Sequence, residues 1–219
     1  MTSTSPEAIV RDIQAWSAAR TIADRLELER LLEHRSPVVR SASALALARG
    51  TTRGERALIT ALPRERSELV LADICDAIAE LGSSRALPQL RRLARTHRSQ
   101  LARTYAVRAV ARIAGRSALP FLLRLRSRDP SRRVRATIDV ERACLRVPGA
   151  VVDLLRHLES ADYIVRIRVV KGVMCREATS AERVAIVSAF RVSLKAEESL
   201  AVRGQLRSAL VRLRRGSQR

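Results

Sequence analysis

LARTYAVRAVARIAG, residues 101–115, decides the fold. A small apolar residue, Ala102, precedes Arg103. Apolar or small side chains then recur every three or four positions up to Gly115. That spacing is the stripe of an amphipathic helix, and a glycine after the last turn is a helix stop. The pattern returns along the chain. Val39-Arg40 opens one copy, in SPVVRSASALALARG, and Val134-Arg135, Val165-Arg166 and Val202-Arg203 open three more. A degenerate copy, ELVLADICDAIAELG, puts Val70-Leu71 in register. The six copies step by 31, 32, 32, 31 and 37 residues. A step held over six copies marks a repeat architecture. Gly50, Gly82 and Gly115 end the first three copies.

A second helix precedes each copy. RALPQLRRL (85–93) and SALPFLLRL (117–125) match at a shift of 32, with Pro88 and Pro120 in the first turn, where the missing N–H costs nothing. GAVVDLLRHL (149–158) and AERVAIVSAF (181–190) continue the series; LELERLLEH and ERALITAL fill the earlier places. PEAIVRDIQAWSAAR reads as one extra helix over the N-terminal end, and no segment alternates as a strand does. The expected architecture is all-α, a single domain over residues 1–219. It is a right-handed solenoid of about six helical hairpins, at about 20–50, 54–82, 85–115, 117–146, 148–176 and 180–215, behind a capping helix at 1–19.

The small-apolar–Arg pair, the Ala/Leu pattern and the step near 32 resemble HEAT-like repeats of the short type found in phycobilisome lyases and many bacterial proteins. The resemblance covers about residues 20–215. It implies a binding scaffold whose second helices line a concave groove. It also implies that Arg40, Arg103, Arg135, Arg166 and Arg203 tie one repeat to the next.

Composition narrows the functions. Aromatic residues make up 2% of the chain, with Trp16 the only tryptophan and Tyr105 and Tyr163 the only tyrosines. Few rings are available to stack bases or grip a flat cofactor. Cys75, Cys144 and Cys175 form no CxxC pair or Cys/His cluster, so three buried reduced thiols are expected, with no disulfide framework and no zinc. The first residues, MTSTSPEAIVRDIQAW, show no signal-peptide pattern, and no apolar run is long enough to span a membrane. A cytoplasmic protein is expected.

The net charge is +20, carried by arginine except for Lys171 and Lys195. Residues 85–146 hold seventeen bases and three acids, whereas residues 1–84 hold eleven and twelve. The excess therefore belongs mostly to the third and fourth hairpins. RLRSRDPSRRVR, residues 124–135, is half arginine, offset only by Asp129. The third hairpin turn carries Arg91, Arg92, Arg95 and Arg98; the fourth carries Arg124, Arg126, Arg128, Arg132 and Arg133. The second helices add a polar face. It reads Asp73, Asp76 and Glu80 in the second hairpin, Tyr105, Arg108 and Arg112 in the third, Arg168 and Lys171 in the fifth, and Arg212 in the sixth. Asp76 with Arg108, and Glu80 with Arg112, stand 32 apart and pair across adjacent helices on the bland reading. On the functional reading, Arg91, Arg92, Arg95, Arg98, Arg108, Arg112, Arg124, Arg126, Arg128, Arg132, Arg133, Arg168 and Lys171 attract carboxylates or phosphates.

No phosphate-binding loop, dinucleotide fingerprint or HExxH is present, and His34, His97 and His157 stand apart from other metal-ligand types. Asp139 and Glu141 are two residues apart and point to different helix faces, so salt bridges to Arg135 or Arg142 are the expected use of these carboxylates. No catalytic residue, metal, cofactor or small-molecule substrate is expected. The leading reading is a non-enzymatic scaffold for an acidic protein partner, bound through the groove and a basic edge in repeats three and four. The alternative is a protein that binds duplex nucleic acid through phosphates. HEAT-like DNA glycosylases share the length and charge, but their tryptophan-lined pocket has no counterpart here, and nothing marks a bilin lyase's tetrapyrrole site.

Overall fold

A computed structural model describes residues 5–16, 21–49, 54–174 and 178–215. Gly50 and Cys175 lie outside the described residues. Thirteen α-helices and three short 3-10 turns account for the regular structure there, with no strand among the described residues. Helix α1 (Pro6–Trp16) precedes six hairpins. These are α2 (Ile22–Leu31) with α3 (Pro37–Ala48), α4 (Gly54–Ala61) with α5 (Glu68–Leu81), α6 (Leu87–Thr96) with α7 (Gln100–Ala114), α8 (Leu119–Arg128) with α9 (Arg132–Cys144), α10 (Ala150–Leu155) with α11 (Tyr163–Val173), and α12 (Ser180–Ala196) with α13 (Leu200–Arg215). The fold is all-α, with the hairpin order of an α-solenoid.

Contacts gather into two compact units, Met1–Ala118 and Leu119–Arg219, each with three hairpins. In the first unit α5 packs between α3 and α7, and α1 lies against α3, the place of a preceding second helix. Small side chains let these helices approach: Ala102, Ala106 and Ala109 of α7 are fully buried, as are Leu71, Ala77 and Ile78 of α5. In the second unit α11 packs between α9 and α13. Its core joins Val169 and Val170 of α11 to Ile186 and Phe190 of α12 and Leu206 of α13. Gly172 of α11 meets Val140 of α9 so closely that an added Cβ would stand 2.5 Å from a valine methyl.

The local signals act as sequence chemistry predicts. Pro88 and Pro120 sit in the first turns of α6 and α8. Gly82 adopts the left-handed conformation after α5 and Gly115 a positive φ after α7. The fourth hairpin has no glycine there; Arg146 takes a φ of 57° in its place. The long final step of 37 arises from the seventeen residues of α12. The fifth first helix is shorter than expected, since α10 passes at Arg156 into a 3-10 turn, Arg156–Glu159. Cysteine usage needs a correction. Cys75 is free and buried, but Cys144 is disulfide-bonded, contrary to three reduced thiols. No helix among the described residues is long and apolar enough to cross a membrane.

Candidate functional site: tied and open arginines

Each hairpin turn is closed by the same bond. The residue six before the Val-Arg arginine position accepts, through its side chain, the backbone N–H two residues on. His34 thus holds Ser36, Glu65 holds Ser67, His97 holds Ser99, Asp129 holds Ser131, Ser160 holds Asp162, and Glu197 holds Ser199, at 2.7–3.2 Å. The held residue stands at the N-cap of the second helix, and Ser99, Ser131 and Asp162 accept first-turn N–H groups there.

The repeated arginine then fastens the turn. Nη1 of Arg40 donates to the carbonyls of His34 and Arg35 at 2.8 and 3.1 Å, and Arg103 does the same to His97 and Arg98 at 2.9 and 3.1 Å. Arg166 reaches Ser160 and Ala161 at 2.7 and 3.0 Å, and Arg135 reaches Asp129 at 2.6 Å. Arg40 and Arg166 also cross to the next repeat. Arg40 forks onto Glu65 at 2.7 and 2.9 Å, and Arg166 onto Glu197 at 2.7 Å through both nitrogens. Forked pairs of this kind fix geometry as well as adding energy. The Arg166 guanidinium holds the Glu197 carboxyl below its usual range. Burial pushes Glu65 up, but the bond from Arg40 and N–H groups of Ser67 and Arg66 outweigh it and hold it down. Arg203 makes no such side-chain bond among the described residues, which corrects its assignment as a tie.

The nominated cations divide in the same way. In the first unit Arg92, Arg95, Arg98 and Arg112 are exposed and Arg91 is half-buried. Arg108 lies 3.7 Å from Asp76 and 5.0 Å from the centre of the Tyr105 ring, so this pair does bridge adjacent second helices. Burial pushes the Asp76 carboxyl up, with Arg108 opposing it and Asp73 adding to it. In the second unit Arg124, Arg128, Arg132 and Lys171 are exposed. Arg126 and Arg133, each with a side chain 36% exposed, are paired with carboxylates. Arg126 Nε donates to Asp139 at 2.6 Å, and Arg133 donates to Asp162. Arg168 donates to Thr137, one repeat back.

Asp139 anchors the centre of the fourth and fifth hairpins. Its carboxylate is wholly buried and meets Arg126 Nε at 2.6 Å, Arg142 Nη1 at 2.7 Å and His157 Nε2 at 2.9 Å. Arg142 continues to Asp153 at 2.9 Å, and Asp153 to Arg156 at 3.3 Å. Burial alone would push Asp139 up. Bonds to His157, Arg126 and Arg142 outweigh it and hold the carboxyl below its usual value. A carboxylate with three partners is committed to the structure. The expected Arg142 contact is present, with Arg126 in place of Arg135. His157 is no isolated histidine, because the fold brings it eighteen residues back to Asp139. This network has one visible sequence signal, an acid in the middle of an arginine-rich helix. The turn acceptors have another: all six positions before the Val-Arg register are polar.

A family model described as HEAT repeats matches residues 55–140. No curated protein matches the chain. The matched segment runs from α4 into α9, and the hairpins outside it repeat the same turn bonds. Residues 55–140 are thus HEAT-like repeats.

Proposed function

We propose that the protein is a non-enzymatic HEAT-repeat scaffold that binds an acidic segment of a protein partner through its open arginines. HEAT repeats serve protein interaction in general, and the scaffold reading rests on that. The acidic partner rests on one observation: the arginines of the third and fourth hairpins divide into a tied set and an open set. Arg126, Arg133 and Arg135 are spent on Asp139, Asp162 and the Asp129 carbonyl. Arg124, Arg128 and Arg132 remain exposed on the same hairpin, as do Arg92, Arg95 and Arg98 on the third. A fold that needed arginine only for structure would leave no such excess of one sign, which repels itself and attracts anions. The cytoplasmic setting expected from the sequence has less support than an oxidising compartment, where a disulfide such as that of Cys144 persists.

The test is binding of a labelled all-glutamate peptide and of a labelled random duplex DNA over a salt series. The proposal expects the peptide to bind and to weaken as salt screens the pair. Binding of duplex alone, falling steeply with salt, would replace it with the nucleic-acid reading.

A further inference from the structure

Grooves between successive first helices recur along the turn edge. One lies between the first and second hairpins, about 660 Å³, with the Arg40–Glu65 pair in its wall. Another lies between the fifth and sixth, about 630 Å³, walled by Arg166 and Glu197. The groove between the second and third hairpins, about 680 Å³, differs at its base, because Leu71 stands where the others have arginine. Leucine cannot donate to the turn carbonyls. Those of Glu65 and Arg66 therefore have no donor among the described residues, unlike their counterparts in the first, third and fifth hairpins.

Three further features shape this groove. The side-chain oxygen of Gln89, in its wall, is buried and has no hydrogen-bond partner among the described residues. Pro63 is exposed and Leu93 half-buried, and both give it an apolar face. Arg92 and Arg98 stand exposed on its rim. The nearby acid, Glu65, does not oppose an anion there, since Arg40 and two backbone N–H groups already hold it. The groove thus asks for hydrogen-bond donors at its base, an aliphatic group on its wall and anions at its rim. A DNA backbone supplies only the anions, and an RNA backbone adds 2′-hydroxyl donors but no aliphatic group. A peptide supplies all three.

We propose that this groove is the docking site for an acidic peptide segment of the partner. A backbone N–H meets the Glu65 carbonyl, a polar N–H meets Gln89, an aliphatic side chain lies on Pro63 and Leu93, and carboxylates face Arg92 and Arg98. The proposal rests on the acidic-partner reading above and gives it a place.

The experiment measures fluorescence anisotropy of a labelled peptide of alternating Glu and Leu beside an all-Glu peptide of equal length. The Glu/Leu peptide should bind about tenfold more tightly, as burial of one aliphatic side chain allows. Arg92→Glu/Arg98→Glu should weaken it about tenfold or more. Leu71→Arg restores the guanidinium of the other repeats, supplies the free carbonyl and fills the base. It should weaken the Glu/Leu peptide even though it adds a positive charge. Equal affinity for both peptides, or binding kept or tightened in Leu71→Arg, overturns the groove. If Leu71→Arg lowers the melting temperature, Arg92→Glu/Arg98→Glu decides: unchanged binding rejects the groove. The triple variant Arg124→Glu/Arg128→Glu/Arg132→Glu separates the two claims. All-Glu binding lost there, with both groove variants unaffected, rejects the groove and keeps the acidic-partner reading. Neither peptide binding the unmodified protein rejects both.

Discussion

Arg126 Nε lies 2.6 Å from Asp139 Oδ1, so the arginine ties the first helix of the fourth hairpin to the second. The carboxylate is wholly buried, whereas the arginine side chain is 36% exposed. A buried charge persists only when its partners satisfy it. Removing Asp139 would take this partner from Arg126 and His157 and leave Arg142 with Asp153. Asp139→Ala should cost about 3–5 kcal/mol in a urea melt, the usual cost of breaking a buried pair. A loss no larger than that of an exposed ion pair, under about 1 kcal/mol, would mean the network contributes little.

The depressed carboxyls set the response to acid. Asp139, Asp162, Glu65 and Glu197 all sit below their ordinary values, 3.8 for Asp and 4.5 for Glu. The unfolded chain takes up protons at those ordinary values, before the folded one does. The stability these pairs add is therefore complete above about pH 5 and falls as the pH drops through 4 and lower. Asp76 has the opposite sign, since burial raises it, and offsets part of the loss. Urea midpoints should be level between about pH 7 and about pH 5 and decline below about pH 4. A midpoint that rises on acidification would contradict the pairing described.

Arg146 holds a φ of 57° at the end of the fourth hairpin, where the second and third hairpins place Gly82 and Gly115. Non-glycine residues pay about 1 kcal/mol for this conformation, and glycine does not. Arg146→Gly should raise stability by about 0.5–1 kcal/mol, read as a higher melting temperature. A lower one would show that the arginine side chain makes up the strain.

The hairpins, their register and the repeat step are legible because helix periodicity, glycine stops and N-terminal prolines are local signals. The division of the arginines is not. RLRSRDPSRRVR contains six arginines that look alike in sequence, yet Arg126, Arg133 and Arg135 are tied and Arg124, Arg128 and Arg132 are exposed. Which of them is tied depends on the helix face each occupies and on an acid elsewhere, thirteen residues away for Arg126 and twenty-nine for Arg133. The 32-residue pairing of Asp76 with Arg108 was open to view because the repeat step itself supplies the partner. The absence of arginine at Leu71 is visible too, but its consequence needs the bonds that the other repeats make.

Gly172 faces Val140 across α11 and α9, with room for no side chain: an added Cβ would come within 2.5 Å and 2.9 Å of the two valine methyls. Glycine to alanine inside a helix ordinarily gains about 1 kcal/mol. Gly172→Ala should instead lose about 1–3 kcal/mol through overpacking, and Gly172→Ala with Val140→Ala should recover part of it. A stabilised single variant would contradict the close approach.

The central claim is that the open arginines of the third and fourth hairpins, and not the tied ones, the exposed ones elsewhere or the net charge, bind the acidic partner. One comparison tests it: affinity for an all-glutamate peptide at low salt in Arg124→Glu/Arg128→Glu/Arg132→Glu and in Arg191→Glu/Arg207→Glu/Arg214→Glu. The second variant reverses three exposed arginines in the last hairpin, so the two have equal net charge. The account predicts a loss of about tenfold or more in the first variant and a small change in the second. Equal losses in both would mean that only the overall charge matters, and would contradict it.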